Sequence, residues 1–361
     1  MLKKKIVTVL GARPQFVKAA VLSRVIQSHD EIDEVLVHTG QHYDANMSRV
    51  FFDEMQIPTP KYNLAINGIS HGAMTGQMLE KIEGILLEEN PDAVVIYGDT
   101  NSTLAGALAA RKLQIKVIHV EAGLRSFNMS MPEEVNRIIT DRISDLLCCP
   151  TQTAVDNLKT EGFDSFDSKV VLSGDIMKDS MEFYSSLSEQ KSTITQDLSL
   201  EKNQFVLATI HRQENTDDLE RLKEIFEGLE AIHNEKRVVM PLHPRTRSIL
   251  NNHNLSFNIQ FIEPVGYFDM LQLLKHCFMV VTDSGGLQKE AFFNGKRCLI
   301  AREETEWIEL VNHDFAEIVG ADQTKLFAGF KNNLNYNLDF TLPLFGNNVG
   351  EYIYNEILDF I

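Results

Sequence analysis

The sequence predicts an α/β protein built from two Rossmann-like, doubly wound domains that face each other across a cleft. Short apolar runs rich in Val and Ile alternate with longer amphipathic segments, which is the pattern of strands and crossover helices in a parallel sheet. This series occurs twice along the chain. The length of 361 residues also exceeds the size at which one hydrophobic core stops growing.

The first series begins with the apolar run KIVTVL at 5–10. The other predicted strands are 34–38, 93–97, 116–120 and 146–149, and the predicted helices between them are 15–29, 71–89, 101–113 and 133–146. These strands lack polar alternation, as expected when helices cover both faces of a sheet. We therefore assign residues 1–172 to an N-terminal domain.

The second series contains predicted strands at 169–172, 205–210, 237–242, 259–262, 279–282 and 297–301, with a helix at 217–234. The stretch 184–200 is polar and rich in Ser and Thr, so we place a linker near 173–202, although 176–188 has the character of a helix start. Residues 173–347 form the predicted C-terminal domain.

Composition and charge exclude several classes of protein. The formal net charge of -17 argues against a nucleic-acid partner, which requires a basic surface. An apolar run long enough to span a membrane does not occur, and the run at 6–10 is too short for the core of a signal peptide. The four cysteines have no metal-ligand spacing, and we expect them to be reduced and buried in a cytoplasmic protein.

Two cations follow the first predicted strand, within the segment GARPQFVK at 11–18. Ligands bind beyond the carboxyl ends of strands in open parallel sheets. Arg13 and Lys18 would then lie near a helix N-terminus, which is a natural anion site. The alternative is an ordinary surface turn with two solvated cations.

Three carboxylates follow predicted strands or begin a predicted helix: Asp99, Glu121 and Glu133. Asp99 alone could be an N-cap, and Glu133 with Glu134 could simply offset a helix dipole. If all three project into one crevice, their mutual repulsion raises at least one pKa, which suits general acid and base catalysis.

The second half also carries polar residues after its strands. They are His211, His243, the Ser284-Gly285-Gly286 turn and Glu290. The turn would present backbone N–H groups to a diphosphate at a helix N-terminus, and Glu290 would accept hydrogen bonds from ribose hydroxyls. Each has a plainer interpretation, because Ser-Gly-Gly is a common turn and His211 could be structural.

Together these segments resemble the non-hydrolysing UDP-N-acetylglucosamine 2-epimerase family. The matching stretches are GARPQFVK (11–18), TGQH (39–42), YGDTNSTLAG (97–106), HVEAGLRS (119–126), MPEEVNR (131–137), TIHRQEN (209–215), PLHPRTR (241–247), EPVGY (263–267) and TDSGGLQKEA (282–291). The resemblance implies a glycosyltransferase-B-like architecture. It also implies a final helix at 348–361 that returns to the N-terminal domain.

The resemblance implies interconversion of UDP-N-acetylglucosamine and UDP-N-acetylmannosamine by elimination and re-addition of UDP. The implied catalytic residues are Asp99, Glu121, Glu133 and His211, and the implied substrate-binding residues are Arg13, Lys18, Arg137, His243, Ser284, Gly285, Gly286 and Glu290. Which carboxylate removes the C2 proton stays open. The family further implies a homodimer, no metal and no organic cofactor, and a product used for surface polysaccharides.

Two segments depart from the usual pattern of the family. The loop between Arg125 and Pro132 is short, which resembles members acting on modified sugars such as UDP-2,3-diacetamido-2,3-dideoxyglucuronic acid. The segment 43–47 does not match the pattern linked to an allosteric UDP-N-acetylglucosamine site. A hydrolysing epimerase, a glycosyltransferase and a non-catalytic sugar-nucleotide sensor are the alternatives outside this reaction.

Overall fold

The computed structural model describes residues 3–41, 52, 56–334 and 338–361, so the segment 43–47 lies outside the described residues. Spatial contacts divide the chain into two compact units, Met1–Ser180 with Pro343–Ile361, and Met181–Leu342. In the described residues, each unit contains one parallel sheet, of seven strands in the first and six in the second. The α/β fold with two parallel sheets is confirmed, whereas the domain limits at 172/173 and 347/348 stay predictions.

In its described residues, the first unit contains strands and helices that largely alternate. Its strands are β1 Lys4–Leu10, β2 Ile32–His38, β3 Tyr62–Asn63, β4 Ala93–Tyr97, β5 Lys116–Val120, β6 Leu146–Cys149 and β7 Lys169–Leu172. Its helices are α1 Arg13–Ser28, α2 His71–Glu89, α3 Asn101–Lys112, α4 Pro132–Ile143, α5 Gln152–Thr160 and α6 Ile176–Lys191, the last of which continues into the second unit. The strand order is β3-β2-β1-β4-β5-β6-β7.

The second unit has the same alternation. Its strands are β8 Val206–Thr209, β9 Val238–Pro241, β10 Gln260–Ile262, β11 Met279–Thr282, β12 Cys298–Ile300 and β13 Ala316–Ile318, in the order β10-β9-β8-β11-β12-β13. Its helices are α7 Ile194–Asp197, α8 Gln213–Thr216, α9 Leu219–His233, α10 Pro244–Asn252, α11 Tyr267–His276, α12 Gly285–Phe293, α13 Ile308–Asn312 and α14 Gln323–Asn333. A final helix, α15 Val349–Phe360, belongs to the first unit.

The inner strands of each sheet are buried on both faces, which explains the unbroken apolar runs in the sequence. On one face of the first sheet, Val7 of β1 and Val94 of β4 are paired in register and pack with Ile82 and Leu86 of α2. In the second, Val206 of β8 packs in a core with residues of α9 and α14. The four cysteines are free and buried, as the sequence predicts.

The elements differ from the sequence-based predictions in three places. The run at 169–172 belongs to the first sheet, where β7 pairs with β6, and not to the second series. Strands β3 and β13 were not predicted, because two or three residues give too short a pattern. The predicted linker at 173–202 is mainly helical, since α6 and α7 occupy most of it.

The final helix packs against α1 within the first unit. Ile353 and Ile357 of α15 are fully buried. The backbone N–H of Gly350 donates to Asp179 Oδ2 at 2.8 Å, and Lys116 Nζ donates to the Phe360 carbonyl at 2.6 Å. In the described part of the chain, the helices are too short or too polar to cross a bilayer.

The segment that leads into α15 crosses the start of α6 at a glycine. Gly174 has a φ of +83°, and a Cβ built on it would lie 2.6 Å from the carbonyl oxygen of Phe345. Asp175 N also donates to that carbonyl at 2.8 Å. The two passes of the chain therefore meet where only a residue without a side chain fits.

We predict that Gly174→Ala destabilises the first unit more than Gly162→Ala. Gly162 also has a left-handed φ, +85°, but a Cβ there would lie 4.0 Å from its nearest neighbour, Ser165 Oγ. Gly162→Ala should therefore cost only the backbone strain, about 1–2 kcal/mol, while Gly174→Ala adds ~1–3 kcal/mol of overpacking. Urea unfolding followed by circular dichroism measures the difference, and equal losses would contradict the close approach.

Candidate functional site

The loops at the carboxyl ends of β1 and β4 are neighbours in the first sheet. β1 pairs with β2 on one side and with β4 on the other, so the chain changes direction across the sheet at this point. Ligands bind at such switch points in open α/β sheets. The structure thus brings the loop containing Arg13 next to the loop containing Asp99.

Gln15 ties these two loops together, and sequence reasoning did not single it out. Its Oε1 accepts hydrogen bonds from the backbone N–H groups of Gly11 at 2.7 Å and Ala12 at 3.0 Å. Its Nε2 donates to the Tyr97 carbonyl at 2.7 Å and to Thr103 Oγ1 at 2.9 Å. Because Gln15 is buried, these bonds fix the β1–α1 turn against the β4–α3 turn.

A buried lysine holds Glu121. Lys18 projects from α1 with a side chain 9% exposed, and its Nζ donates to Glu121 Oε2, whose side chain is 11% exposed. Glu121 has a φ of +71°, which is unusual for a residue with a Cβ and costs backbone energy. Strain of this kind persists where surrounding contacts fix the residue, and it is frequent at active sites.

A buried arginine holds Asp99. Arg137 of α4 donates from Nη2 to Asp99 Oδ2 and from Nη1 to Glu134 Oε2 at 2.9 Å. Glu134 is fully buried and also accepts from the backbone N–H groups of Ser126 at 3.0 Å and Phe127 at 2.9 Å. One guanidinium therefore connects Asp99 to the loop that follows Arg125.

The three predicted carboxylates differ in their surroundings. Asp99 and Glu121 lie just beyond the paired strand ends Tyr97 and Val120. Glu133 is exposed on the first turn of α4. The N-cap of α3 is Thr100, whose side chain accepts from Thr103 N, so the plainer interpretation of Asp99 as a cap is wrong.

In the second unit, the buried carboxylate of Asp283 organises the loop that carries His211. Asp283 Oδ2 accepts from the backbone N–H groups of His211 and Arg212, both at 2.9 Å, and from Asn215 Nδ2 at 3.2 Å. The His211 side chain, 39% exposed, places Nδ1 3.5 Å from Asp283 Oδ1. His211 is thus presented at the carboxyl end of β8, beside the end of β11.

His243 lies next to His211, with ring centroids 5.7 Å apart. It is the N-cap of α10, and its Nδ1 accepts from Arg245 N at 3.2 Å. Burial lowers the pKa of His243, and the charges of His211 and Arg245 lower it further. A neutral His243 keeps Nδ1 unprotonated, as its role as an acceptor requires.

The predicted diphosphate turn lies at the start of α12. Ser284 is the N-cap, and Gly285 and Gly286 form the first turn. A Cβ built on Gly286 would meet nothing within 4 Å, so its backbone faces open space that a phosphate can approach. Glu290 is half-buried in the same helix.

The residues missed from the sequence support functional side chains or the loops that carry them. Gln15, Glu134 and Asp283 are buried polar groups with several hydrogen-bond partners each. Arg13 begins α1 and is partly buried. The sequence did contain one signal for these three buried residues. Each is a polar residue inside one of the matched motifs, next to apolar residues of a helix or a strand.

Known proteins resemble the chain over nearly its full length. A family model described as UDP-N-acetylglucosamine 2-epimerase matches residues 24–347. The UDP-2,3-diacetamido-2,3-dideoxy-D-glucuronate 2-epimerase of Pseudomonas aeruginosa is 50% identical, covering 95% of this chain and 96% of its own. The UDP-N-acetylglucosamine 2-epimerase of Methanocaldococcus jannaschii is 40% identical, covering 97% of each chain.

Solved structures agree with these sequence matches. The crystal structure of the M. jannaschii UDP-GlcNAc 2-epimerase in complex with UDP-GlcNAc and UDP matches with a TM-score of 0.88 at 39% identity, covering 100% of both chains. The Neisseria meningitidis UDP-GlcNAc 2-epimerase bound to UDP-GlcNAc matches with a TM-score of 0.88 at 28% identity, covering 98% of this chain and 100% of its own.

We predict that Arg137→Lys lowers both stability and activity. A single ammonium group cannot replace the planar guanidinium group that binds the carboxylates of Asp99 and Glu134. Arg137→Met should lower the free energy of unfolding by about 3–5 kcal/mol, since it leaves the buried Glu134 without its cation. Thermal unfolding and kcat measure the two effects.

The matched control is Arg142→Lys on the same helix. The guanidinium carbon Cζ of Arg142 lies 3.3 Å from the centre of the Phe166 ring, and Arg142 does not contact Asp99. Its replacement should change stability by less than about 1 kcal/mol and leave kcat unchanged. Equal losses of kcat in the Arg137→Lys and Arg142→Lys variants would contradict the role given to Arg137.

Proposed function

The chain belongs to the UDP-N-acetylglucosamine 2-epimerase family, which is a family of isomerases, and we propose that it inverts C2 of a UDP-2-acetamido sugar without releasing free sugar. One observation carries this proposal: two carboxylates lie at adjacent strand ends, and each is held by its own buried cation. Such a pair offers a base and an acid at fixed positions.

The proposed reaction begins when one carboxylate removes the C2 proton. The electron pair of that C–H bond forms the C1–C2 double bond while the bond from C1 to the UDP oxygen breaks, giving 2-acetamidoglucal and UDP. UDP then adds back to C1, and a proton is delivered to C2 from the opposite face. Asp99, Glu121 and Glu133 are the proposed acid and base groups.

The nucleotide must stay bound between the two steps, or free sugar would escape. We assign this task to the second unit, where the N-terminus of α12 offers backbone N–H groups and a helix dipole to the diphosphate. The adjacent His211 would donate to a phosphate oxygen or to the sugar. The other proposed binding residues are Arg13, Lys18, Arg137, His243, Ser284, Gly285, Gly286 and Glu290.

We also propose a homodimer located in the cytoplasm. The resemblance supports the dimer. The substrate supports the location, since a UDP-sugar carries the charge of a diphosphate, which is costly to move into a lipid bilayer.

We expect Asp99→Asn and Glu121→Gln each to slow turnover by about 10²–10⁴-fold, because each removes an acid or base. Proton NMR in deuterated water is the measurement: the wild-type protein should convert the substrate into a mixture of C2 epimers with deuterium at C2. UDP binding, measured by calorimetry, should survive in both variants because the proposed phosphate site is in the second unit.

Asp33→Asn is the matched control for this pair. Asp33 is exposed on β2 of the same sheet, and its loss should leave turnover unchanged. Near-normal rates in both the Asp99 and Glu121 variants would contradict their assignment. Free sugar and UDP as products would instead indicate the hydrolysing reaction.

Two substrates have specific support. UDP-N-acetylglucosamine is bound in the M. jannaschii and N. meningitidis structures. The diacetamido-glucuronate sugar nucleotide is favoured by the 50% identity to the P. aeruginosa enzyme, against 40% to the M. jannaschii enzyme. The short loop 126–131 also favours the diacetamido-glucuronate sugar nucleotide. We therefore propose the modified sugar nucleotide as the preferred substrate, with the same chemistry at C2.

We expect kcat/KM to be larger for UDP-2,3-diacetamido-2,3-dideoxy-D-glucuronate than for UDP-N-acetylglucosamine. The reason is that a site shaped for the extra acetamido and carboxylate groups leaves polar groups unpaired when they are missing. Parallel progress curves followed by NMR give both constants. A larger kcat/KM for UDP-N-acetylglucosamine would reverse the preference and leave the reaction class intact.

A further inference from the structure

A fully buried histidine lies beneath the two carboxylate loops of the first unit. The ring of His119 on β5 is inaccessible to solvent. Its Nε2 is 2.7 Å from the carbonyl oxygen of Gly98, and its Nδ1 is 2.7 Å from Asp141 Oδ1 of α4. A carbonyl oxygen only accepts hydrogen bonds, so Nε2 must carry a proton.

The other side of the ring faces an ionised carboxylate. Burial raises the pKa of Asp141, but the hydrogen bonds and charges of His119 and Arg125 outweigh it and hold that pKa below its usual value. Arg125 Nη1 donates to Asp141 Oδ2 at 2.6 Å, and Gly123 N donates to the same oxygen at 3.1 Å. Asp141 therefore accepts from Nδ1, and the ring carries protons on both nitrogens.

The charges around His119 balance one another. Arg125 also donates from Nε and Nη2 to both oxygens of Glu161, at 2.6 and 2.7 Å. His119 and Arg125 are thus matched by Asp141 and Glu161. Cys149 lies close to Asp141, and burial followed by that carboxylate raises its thiol pKa well above the usual value, so it adds no charge. A doubly protonated ring is therefore compatible with its burial.

This network ends on the two loops that carry the proposed catalytic carboxylates. The Gly98 carbonyl directly precedes Asp99 in the chain. Gly123 and Arg125, both bound to Asp141, follow Glu121 in the second loop. A shift in the ring or in Asp141 would move the two loops relative to each other, because the ring contacts the Gly98 carbonyl and Asp141 contacts Gly123 and Arg125.

We propose that His119, held as an imidazolium by Asp141, is a positioning residue that fixes the Asp99 loop relative to Glu121. It touches neither carboxylate directly and acts through the Gly98 carbonyl and the Gly123 N–H. This inference rests on the proposed function for its kinetic consequence, whereas the charge state of the ring can be measured without any substrate.

The first experiment is ¹⁵N NMR of the full-length protein labelled at its histidines. The signal that is absent from His119→Gln belongs to His119. We expect both of its nitrogens to be protonated in the folded protein, because each of them faces a hydrogen-bond acceptor. A neutral ring at pH 8 would overturn the inference.

The second experiment measures kcat, KM and thermal unfolding of Asp141→Asn and His119→Gln. Displacement of a carboxylate by about 1 Å costs on the order of 10²-fold in rate, so kcat should fall by that factor while KM and UDP affinity change little. His119→Gln retains one donor for Gly98, which guards against a variant that simply fails to fold.

Asp145→Asn is the matched control, because it removes a carboxylate that contacts the opposite end of β5, the strand of His119. Asp145 accepts from Val117 N at 2.8 Å and from Arg111 Nη1 at 2.7 Å. It should lower stability and keep kcat. Wild-type kcat in folded His119→Gln and Asp141→Asn, or an equal loss of kcat in Asp145→Asn, would overturn the positioning role. Absence of turnover by the wild-type protein with either UDP-sugar would contradict the proposed function, and the nitrogen shifts would still decide the charge state.

Discussion

The packing of the first unit depends on ion pairs that are shielded from water. A carboxylate removed from solvent is costly unless a cation and further donors meet it. Lys18 and Arg137 supply those cations from helices on different parts of the sheet, so α1 and α4 must pack in one arrangement for the charges to match. The strained backbone of Glu121 is tolerated because this arrangement fixes its position.

In the second unit, backbone N–H groups rather than cations stabilise a buried carboxylate. Asp283 is fully buried, yet its formal partner His211 is 3.5 Å away and partly exposed, and peptide N–H groups provide its closest hydrogen bonds. Backbone N–H groups are not ionisable. The loop that presents His211 is therefore held mainly by uncharged backbone N–H groups that donate to the Asp283 carboxylate.

The parallel sheets and most helices could be predicted from the sequence. The spacing of apolar residues and the length of apolar runs are local properties of the chain. It also placed Asp99, Glu121 and His211 at strand ends. It did not predict Gln15, Glu134 or Asp141 as supports, because their partners are distant or inside buried turns: Gln15 binds Tyr97, 82 residues away. The place of β7 was wrong for a similar reason, since an apolar run alone does not say which sheet it joins.

The second unit is an insertion in the first, entered between Ser180 and Met181 and left between Leu342 and Pro343. All seven described strands of the first sheet precede the insertion, and only α15 follows it. Recombination at two points in a gene would therefore replace the whole second unit, to which we assign nucleotide binding, as a cassette. Such an exchange would alter the proposed nucleotide site and leave the sugar chemistry proposed for the first unit unchanged.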